Sequence, residues 1–346
     1  MTNSRLQYFD MIKGIAIFLV VMGHILTMCI RDIDQAFLFK MIGEIHMPLF
    51  FFISGFFTYK AAENRSFLSP KIKRRFFQLI IPFFVVGTLW IFYFPHSGLQ
   101  SPLKPGFNGF YFDIWKNGYW FTLCLFEIIL IYSAISKLLA STNSLFAHIL
   151  ISIMTWIIIG IFAFVILPSD YANLFGLPLV FQFYPIFIVG LFARRNQNQF
   201  LNSISSSKIY TPALLLTIVV LYLTCYSWEF SWLNSMNLYF IRVILHITLA
   251  IVVINIVNKY TQETNNFAIK TFTYIGKESL AIYLLHYFFL FPMTFLQEPL
   301  RAMNLNIVPT LIISAIAAST VIAITLIVNY IIGRSKTLAL LLTGKI

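Results

Sequence analysis

The chain has 346 residues, of which 59% are hydrophobic and only 10% charged, and its mean hydropathy is +0.84. Globular domains carry about 25% charged residues, so the composition excludes a soluble fold and specifies a polytopic membrane protein. The net charge of +12 does not call for a nucleic-acid partner, because the basic residues are spread by topology rather than gathered into one patch.

Apolar runs occur at 11–30, 37–59, 76–94, 119–139, 147–167, 178–193, 209–227, 237–257, 273–295 and 307–332. Each is close to the ~20 residues that span a hydrocarbon core. The prediction is an all-α bundle of about ten transmembrane helices in a single domain, residues 1–346. The first run contains Lys13 and is followed by Ile30-Arg31-Asp32-Ile33-Asp34 rather than a small-residue cleavage site, so it is expected to be retained as a signal anchor. Arg5, Arg65, Lys71, Lys73, Arg74, Arg75, Arg194, Arg195, Lys277 and Arg334 fall on one side of this ten-helix arrangement, against Arg31, Lys104, Lys116 and Arg301 on the other. The skew places both termini in the cytoplasm.

Cys29, Cys124 and Cys225 are widely separated and fit neither a disulfide framework nor a zinc spacing, so they read as small core residues. The segment from Pro95 to Gly118 holds Pro95, Pro102 and Pro105 and several glycines, and is expected to be irregular, as a lid or a partial re-entrant loop.

Lys13 and His24 lie eleven residues apart in the first apolar run. Eleven helical steps turn about 1,100°, within roughly 20° of whole turns, so the two side chains share a face with about 16 Å of rise between them. Both are costly among lipid tails, which points to a protein-lined path rather than a lipid-facing wall. Counted from the external helix ends at about 1.5 Å per residue, His24 lies roughly 9 Å deep, Arg242 about 8 Å, Glu127 about 12 Å, and His46, His246 and His286 about 13 Å. Such a layer suits a proton-handling pocket. A bland reading stands beside it: His46 and His246 taken singly serve equally well as interhelical hydrogen-bond donors, and Arg242 and Glu127 as each other's counter-ions.

Three further stretches carry information. His46 to Phe57 joins a His, Pro48 and the small Ser54-Gly55 step. Lys71, Lys73, Arg74 and Arg75 precede Pro82 at a cytoplasmic mouth, where they suit anionic lipid or a phosphorylated ligand. Gly276-Lys277-Glu278-Ser279-Leu280 leads to His286 on the ninth run.

Taken in order, Asp10-Met11-Ile12-Lys13-Gly14-Ile15-Ala16 with Val21-Met22-Gly23-His24, the His46-Met47-Pro48-Leu49-Phe50-Phe51-Phe52-Ile53-Ser54-Gly55 run, Tyr119-Trp120-Phe121 with Glu127, and Ile275 through His286 resemble the acyltransferase family 3 membrane proteins over almost the whole chain. The Lys-Gly and Gly-His forms resemble its fucose O-acetylase-like branch. The resemblance implies transfer of an acyl group, usually acetyl from acetyl-coenzyme A, to a hydroxyl of a cell-surface glycan at the bacterial cytoplasmic (inner) membrane. Lys13 occupies the family's basic position, generally Arg, and Arg75 the basic position before the Pro of the third helix. A second Arg, three residues further on in many members, is Gln78 here.

On this reading Lys13, Arg74 and Arg75 hold the acyl-coenzyme A head, and His24 is the general base, a role for which imidazole is suited. Glu127 is the preferred partner for the second ring nitrogen of His24. His46 and His286 donate to the developing oxyanion or bind sugar, Arg242 lies on the acceptor side, and Trp120 stacks on a sugar at the external rim. An acyl-His24 intermediate competes with direct transfer, and the sequence leaves both open. No metal is expected. The expected partners are acyl-coenzyme A, a polysaccharide, lipopolysaccharide or lipid-linked sugar acceptor, and membrane lipids. A transporter or flippase of a glycan lipid is the alternative, although paired broken helices in related halves, its usual pointer, are not visible in the sequence.

Overall fold

The computed structural model describes residues 6–30, 37–59, 70–99, 106–142, 144–226, 235–263, 266–302 and 307–345. The placements expected for Arg5, Arg31, Arg65 and Lys104, and for the side chains of Lys71 and Arg301, fall outside what is described. Among the described residues there is no strand. The helices are α1 (Gln7–His24), α2 (Phe37–Thr58), α3 (Pro70–Tyr93), α4 (Phe107–Tyr111), α5 (Trp120–Ala140), α6 (Leu145–Ile161), α7 (Ser169–Leu174) and α8 (Leu177–Arg195). They continue as α9 (Gln197–Ser205), α10 (Ser207–Cys225), α11 (Ser235–Glu263), α12 (Phe267–Lys277), α13 (Ser279–Leu285), α14 (Gln297–Ala302), α15 (Ile307–Ile332) and α16 (Lys336–Thr343).

Nine of the described helices are long and apolar enough to cross a membrane, or ten if one sharply bent pair counts as a span. That pair is where the structure departs from the expected ninth helix. The run at 273–295 is not continuous: α12 stops at Lys277, α13 covers only Ser279–Leu285, a 3-10 turn follows at His286–Phe289, and the next segment, Thr294–Leu300, is bent by 82°. The break is held from outside. The Glu278 carboxylate at the α12–α13 junction accepts from Asn329 Nδ2 of α15 at 2.8 Å and pairs with Lys345 Nζ at 2.7 Å. Beyond the 3-10 turn, the Met293 N–H donates to the Cys29 carbonyl at 2.9 Å.

Apolar side chains gain nothing by leaving lipid for protein, so helices in a membrane associate through close packing, and glycine permits the closest approach. Two helix pairs use it reciprocally. A Cβ on Gly14 of α1 would fall 1.9 Å from the Phe272 carbonyl oxygen of α12, and one on Gly276 of α12 would fall 1.7 Å from the Asp10 carbonyl oxygen. Gly55 of α2 and Gly190 of α8 stand in the same relation to Phe187 and Phe52. These contacts put α1 at the centre: 72% of its membrane window is buried, against 17% for α6. Cys29, Cys124 and Cys225 are all free and buried, as expected of core residues.

Described parts of the segment expected to be an external loop pack inward. Phe110 of α4 is 1% exposed and stacks on Phe83 of α3 at 4.7 Å. Lys116, expected as an external loop cation, is 1% exposed.

Candidate active site

Three side chains of the site stand at changes of helix type. α1 ends at His24 and continues as a π-helix, Ile25–Ile30; α13 ends at Leu285 and His286 opens a 3-10 turn; Tyr119 caps the junction between the 3-10 turn Lys116–Gly118 and α5. π-Turns within helices are rare and concentrate at functional sites. Each change rotates the following side chains away from the register a continuous helix would impose.

The result is a cluster around His24. Its ring stacks on His286 at 5.3 Å and lies 4.7 Å from the Tyr287 ring, and His46 is within electrostatic reach. His24 Nε2 and the Tyr287 hydroxyl are 2.8 Å apart. Three of the ionisable residues placed in one layer, on α1, α2 and the turn after α13, are thus brought together.

The surrounding hydroxyls are all engaged. Tyr283 Oη donates to the Gly118 carbonyl at 2.8 Å, and Tyr119 Oη donates to the Leu284 carbonyl at 3.2 Å. Tyr287 is pressed against Gly118, whose φ of +94° is in the left-handed region; a Cβ there would lie 1.9 Å from Tyr287 Oη. Glycine therefore meets a steric and a conformational demand at this position.

The histidine tautomers follow from their partners. His286 Nδ1 lies 2.9 Å from the Ile282 and Tyr283 carbonyls, and His46 Nδ1 lies 2.5 Å from the Ile42 carbonyl. A carbonyl only accepts, so both rings carry their proton on Nδ1 and present Nε2 as an acceptor. This corrects the expectation that they donate to an oxyanion: when neutral they can only accept from a hydroxyl. The buried Nε2 of His286 has no partner in the structure.

Other expectations are corrected as well. Glu127 does not hold His24. Its charge is felt at Lys116, and its Oε2 is buried without a partner. The Lys116 ammonium donates to the Tyr111 carbonyl and, at 2.7 Å, to the Asn173 carbonyl. Burial pushes it down to about 8, with Glu127 and Asp113 opposing. The counter-ion of Arg242 is Glu44, at 2.7 Å, not Glu127. Trp120 is not an open sugar platform: it stacks on Phe183 at 5.4 Å and on Phe51 at 6.2 Å, and Phe183 in turn stacks on His246 at 5.4 Å.

At the end of the bundle expected to be cytoplasmic, Lys13 pairs with Asp10 at 2.7 Å, Arg75 donates to Gln78 Oε1 at 3.3 Å, and Arg74 is exposed. Lys13 and His24 share a face of α1 as expected, but the residues between them on it, Ile17 and Val20, are 0% and 3% exposed. Among the described residues, that face is filled by packed side chains at these two positions. Among the described residues, no group of three or more His, Cys, Asp or Glu is placed to hold a metal.

Sequence reasoning missed Tyr287, Gly118 and the buried role of Lys116. Tyr287 directly follows His286, and neighbours in a 3-10 turn project about 120° apart; both still reach His24, because His286 stacks on its ring face while the Tyr287 hydroxyl meets its Nε2 edge.

Residues 6–328 match a family described as an acyltransferase domain. The chain is also similar to the nodulation protein NolL of Mesorhizobium japonicum, 32% identical over 167 residues, which is 44% of each chain. It is likewise similar to the nodulation protein NolL of Sinorhizobium fredii, 32% identical over 206 residues, 57% of this chain and 51% of that one. The matches thus span about half the length of these relatives. No solved structure matches the chain.

Proposed function

We propose that this chain, which belongs to the acyltransferase-domain family, is a membrane O-acyltransferase that moves an acyl group, acetyl foremost, from acyl-coenzyme A to a hydroxyl of a cell-surface glycan. The observation that carries this reading is the setting of His24. From Val20 to Ile30 every residue is buried except His24, whose ring is backed by His286 and Tyr287 and yet keeps accessible surface. An imidazole that is only partly covered and held by a hydroxyl within a helix bundle suits proton transfer.

In the proposed reaction His24 takes the proton of the sugar hydroxyl as its oxygen attacks the thioester carbonyl. The C–S bond then breaks and the thiolate leaves with that proton. A positioned base of this kind contributes about 10²–10⁴-fold. His46 presents an acceptor nitrogen to the sugar hydroxyls, His286 backs the His24 ring, and the Arg242–Glu44 pair and Trp120 flank the acceptor side. Lys13, Arg74 and Arg75 are the cytoplasmic cations available to the phosphates of the donor, with Lys13 exchanging Asp10 for a phosphate. Because Ile17 and Val20 fill the face between Lys13 and His24, the donor's thioester arm has to part packed side chains or enter beside α1. The site lies in a cytoplasmic membrane with both termini inside.

The test is mass spectrometry of the surface polysaccharide from cells with and without the gene, beside purified protein in proteoliposomes given acyl-coenzyme A. Loss of one acyl mass on deletion, restored by the wild-type gene but not by His24→Ala, is expected. An unchanged polymer, with no thiol release in vitro from any short acyl-coenzyme A, would refute the reading.

A further inference from the structure

We propose that His24 reacts through Nδ1, and that Tyr287 is the positioning residue that holds its Nε2 edge; this rests on the acyltransferase reading above. The two ring nitrogens are in different surroundings. Nε2 is 2.8 Å from the Tyr287 hydroxyl, and Tyr287 is 1% exposed. The tyrosine ring is fixed by Trp90 and Tyr119, each at 5.2 Å, and by His286 at 4.2 Å, while its hydroxyl abuts the Gly118 backbone. No substrate reaches Nε2 without dismantling that packing.

Nδ1 faces the other way. It makes no hydrogen bond among the described residues, yet it is not among the enclosed polar atoms left without one, a set that includes Nε2 of His286. It therefore accounts for part of the surface that His24 retains. In this it differs from His46 and His286, whose Nδ1 atoms are tied to helix carbonyls. Of the three clustered histidines, His24 alone leaves Nδ1 open.

The tyrosine hydroxyl suits both halves of the cycle because it accepts as well as donates. When Nδ1 is to take a proton, the ring carries its own proton on Nε2 and donates it to Tyr287 Oη. The acceptor hydroxyl then gives its proton to Nδ1 while its oxygen bonds to the thioester carbon. The imidazolium so formed keeps its Nε2–H bond to Tyr287. As the C–S bond breaks, the Nδ1 proton passes to the thiolate, so an acyl thioester and an alcohol become an ester and a thiol with no further reactant.

The test places Nδ1-methylhistidine at position 24 of the full chain by genetic code expansion and measures thiol release in proteoliposomes, beside Tyr287→Phe. The methyl group sits on the ring edge away from Tyr287, which keeps its bond by donating to Nε2, so the protein is expected to fold and to run as wild type on size exclusion. Transfer should fall to the level of His24→Ala. Tyr287→Phe should lower kcat about 10- to 100-fold, the value of a hydrogen bond to a charged ring, with KM for acyl-coenzyme A within about twofold. Wild-type turnover in the methylated protein, or an unchanged kcat in Tyr287→Phe, overturns the assignment. Transfer that persists in His24→Ala points instead to failure of the acyltransferase mechanism itself, since the choice of nitrogen then has no object.

Discussion

His24 of α1 and Tyr287, one residue into the 3-10 turn that follows α13, stand 263 positions apart and meet at 2.8 Å. The contact falls where the ninth apolar run changes from α-helix to 3-10 turn, so one segment presents a stacking ring, His286, and a hydroxyl, Tyr287, to the same imidazole.

Gly118 is the tightest constraint on that contact. Gly118→Ala has to shift Tyr287 by more than 1 Å to reach ordinary contact, and an alanine resists φ of +94°. Turnover should fall at least as far as in Tyr287→Phe, with folding retained in part. In a Gly118→Ala/Tyr287→Phe double variant the two losses should be less than additive, because both act through one hydroxyl. Additive losses in a kcat double-mutant cycle would separate the two residues.

Lys13→Ala should raise KM for acyl-coenzyme A with kcat little changed, because on the proposed function it removes a head-group contact and not the base. The same substitution removes the Lys13 ion pair from Asp10, so Asp10→Asn/Lys13→Ala is the control. Steady-state kinetics against donor concentration checks both, and an unaltered KM would remove Lys13 from the donor site.

Lys116 makes stability depend on pH. Its ammonium, ordinarily at 10.5, is pushed down to about 8 by burial. Between about pH 8 and 10.5 the unfolded chain therefore binds more protons than the native one, and stability rises with pH across that window. Below pH 8 the charged, buried ammonium costs stability. The thermal midpoint of the purified protein should climb from pH 8 to 10, and Lys116→Met should flatten that climb. Parallel pH profiles for the two proteins would contradict the assignment.

Arg242 and Glu44 are partly buried partners, so removing one leaves the other desolvated and unpaired. Glu44→Leu or Arg242→Met alone should cost about 1–3 kcal/mol, and the double variant less than the worse single. Thermal or denaturant unfolding in detergent measures this. If acylation of the surface polymer survives in the double variant, the pair is structural and not part of the acceptor site.

Much of this was legible from residue order. Length and apolar periodicity specify an all-α membrane bundle, and the common face of Lys13 and His24 follows from helix geometry alone. Of the glycines that let α1 approach α12 and α2 approach α8, Gly14, Gly55 and Gly276 lie within the stretches that sequence reading singled out, and Gly190 does not. Partner choice was not legible. Glu127 and His24 have suitable depths and chemistry, but depth along a helix axis says nothing about azimuth around the bundle, and Glu127 acts on Lys116 instead.

The sequence by itself determined that this is a membrane bundle with a shared His and Lys face, because hydrocarbon thickness and the 3.6-residue turn act locally on any helix. Only the tertiary structure decided which groups touch His24. Around it stand a π-turn after His24, a 3-10 turn at His286 and a left-handed Gly118, three local departures from ideal helix. Each is held by contacts with segments remote in sequence, so no local pattern announces it.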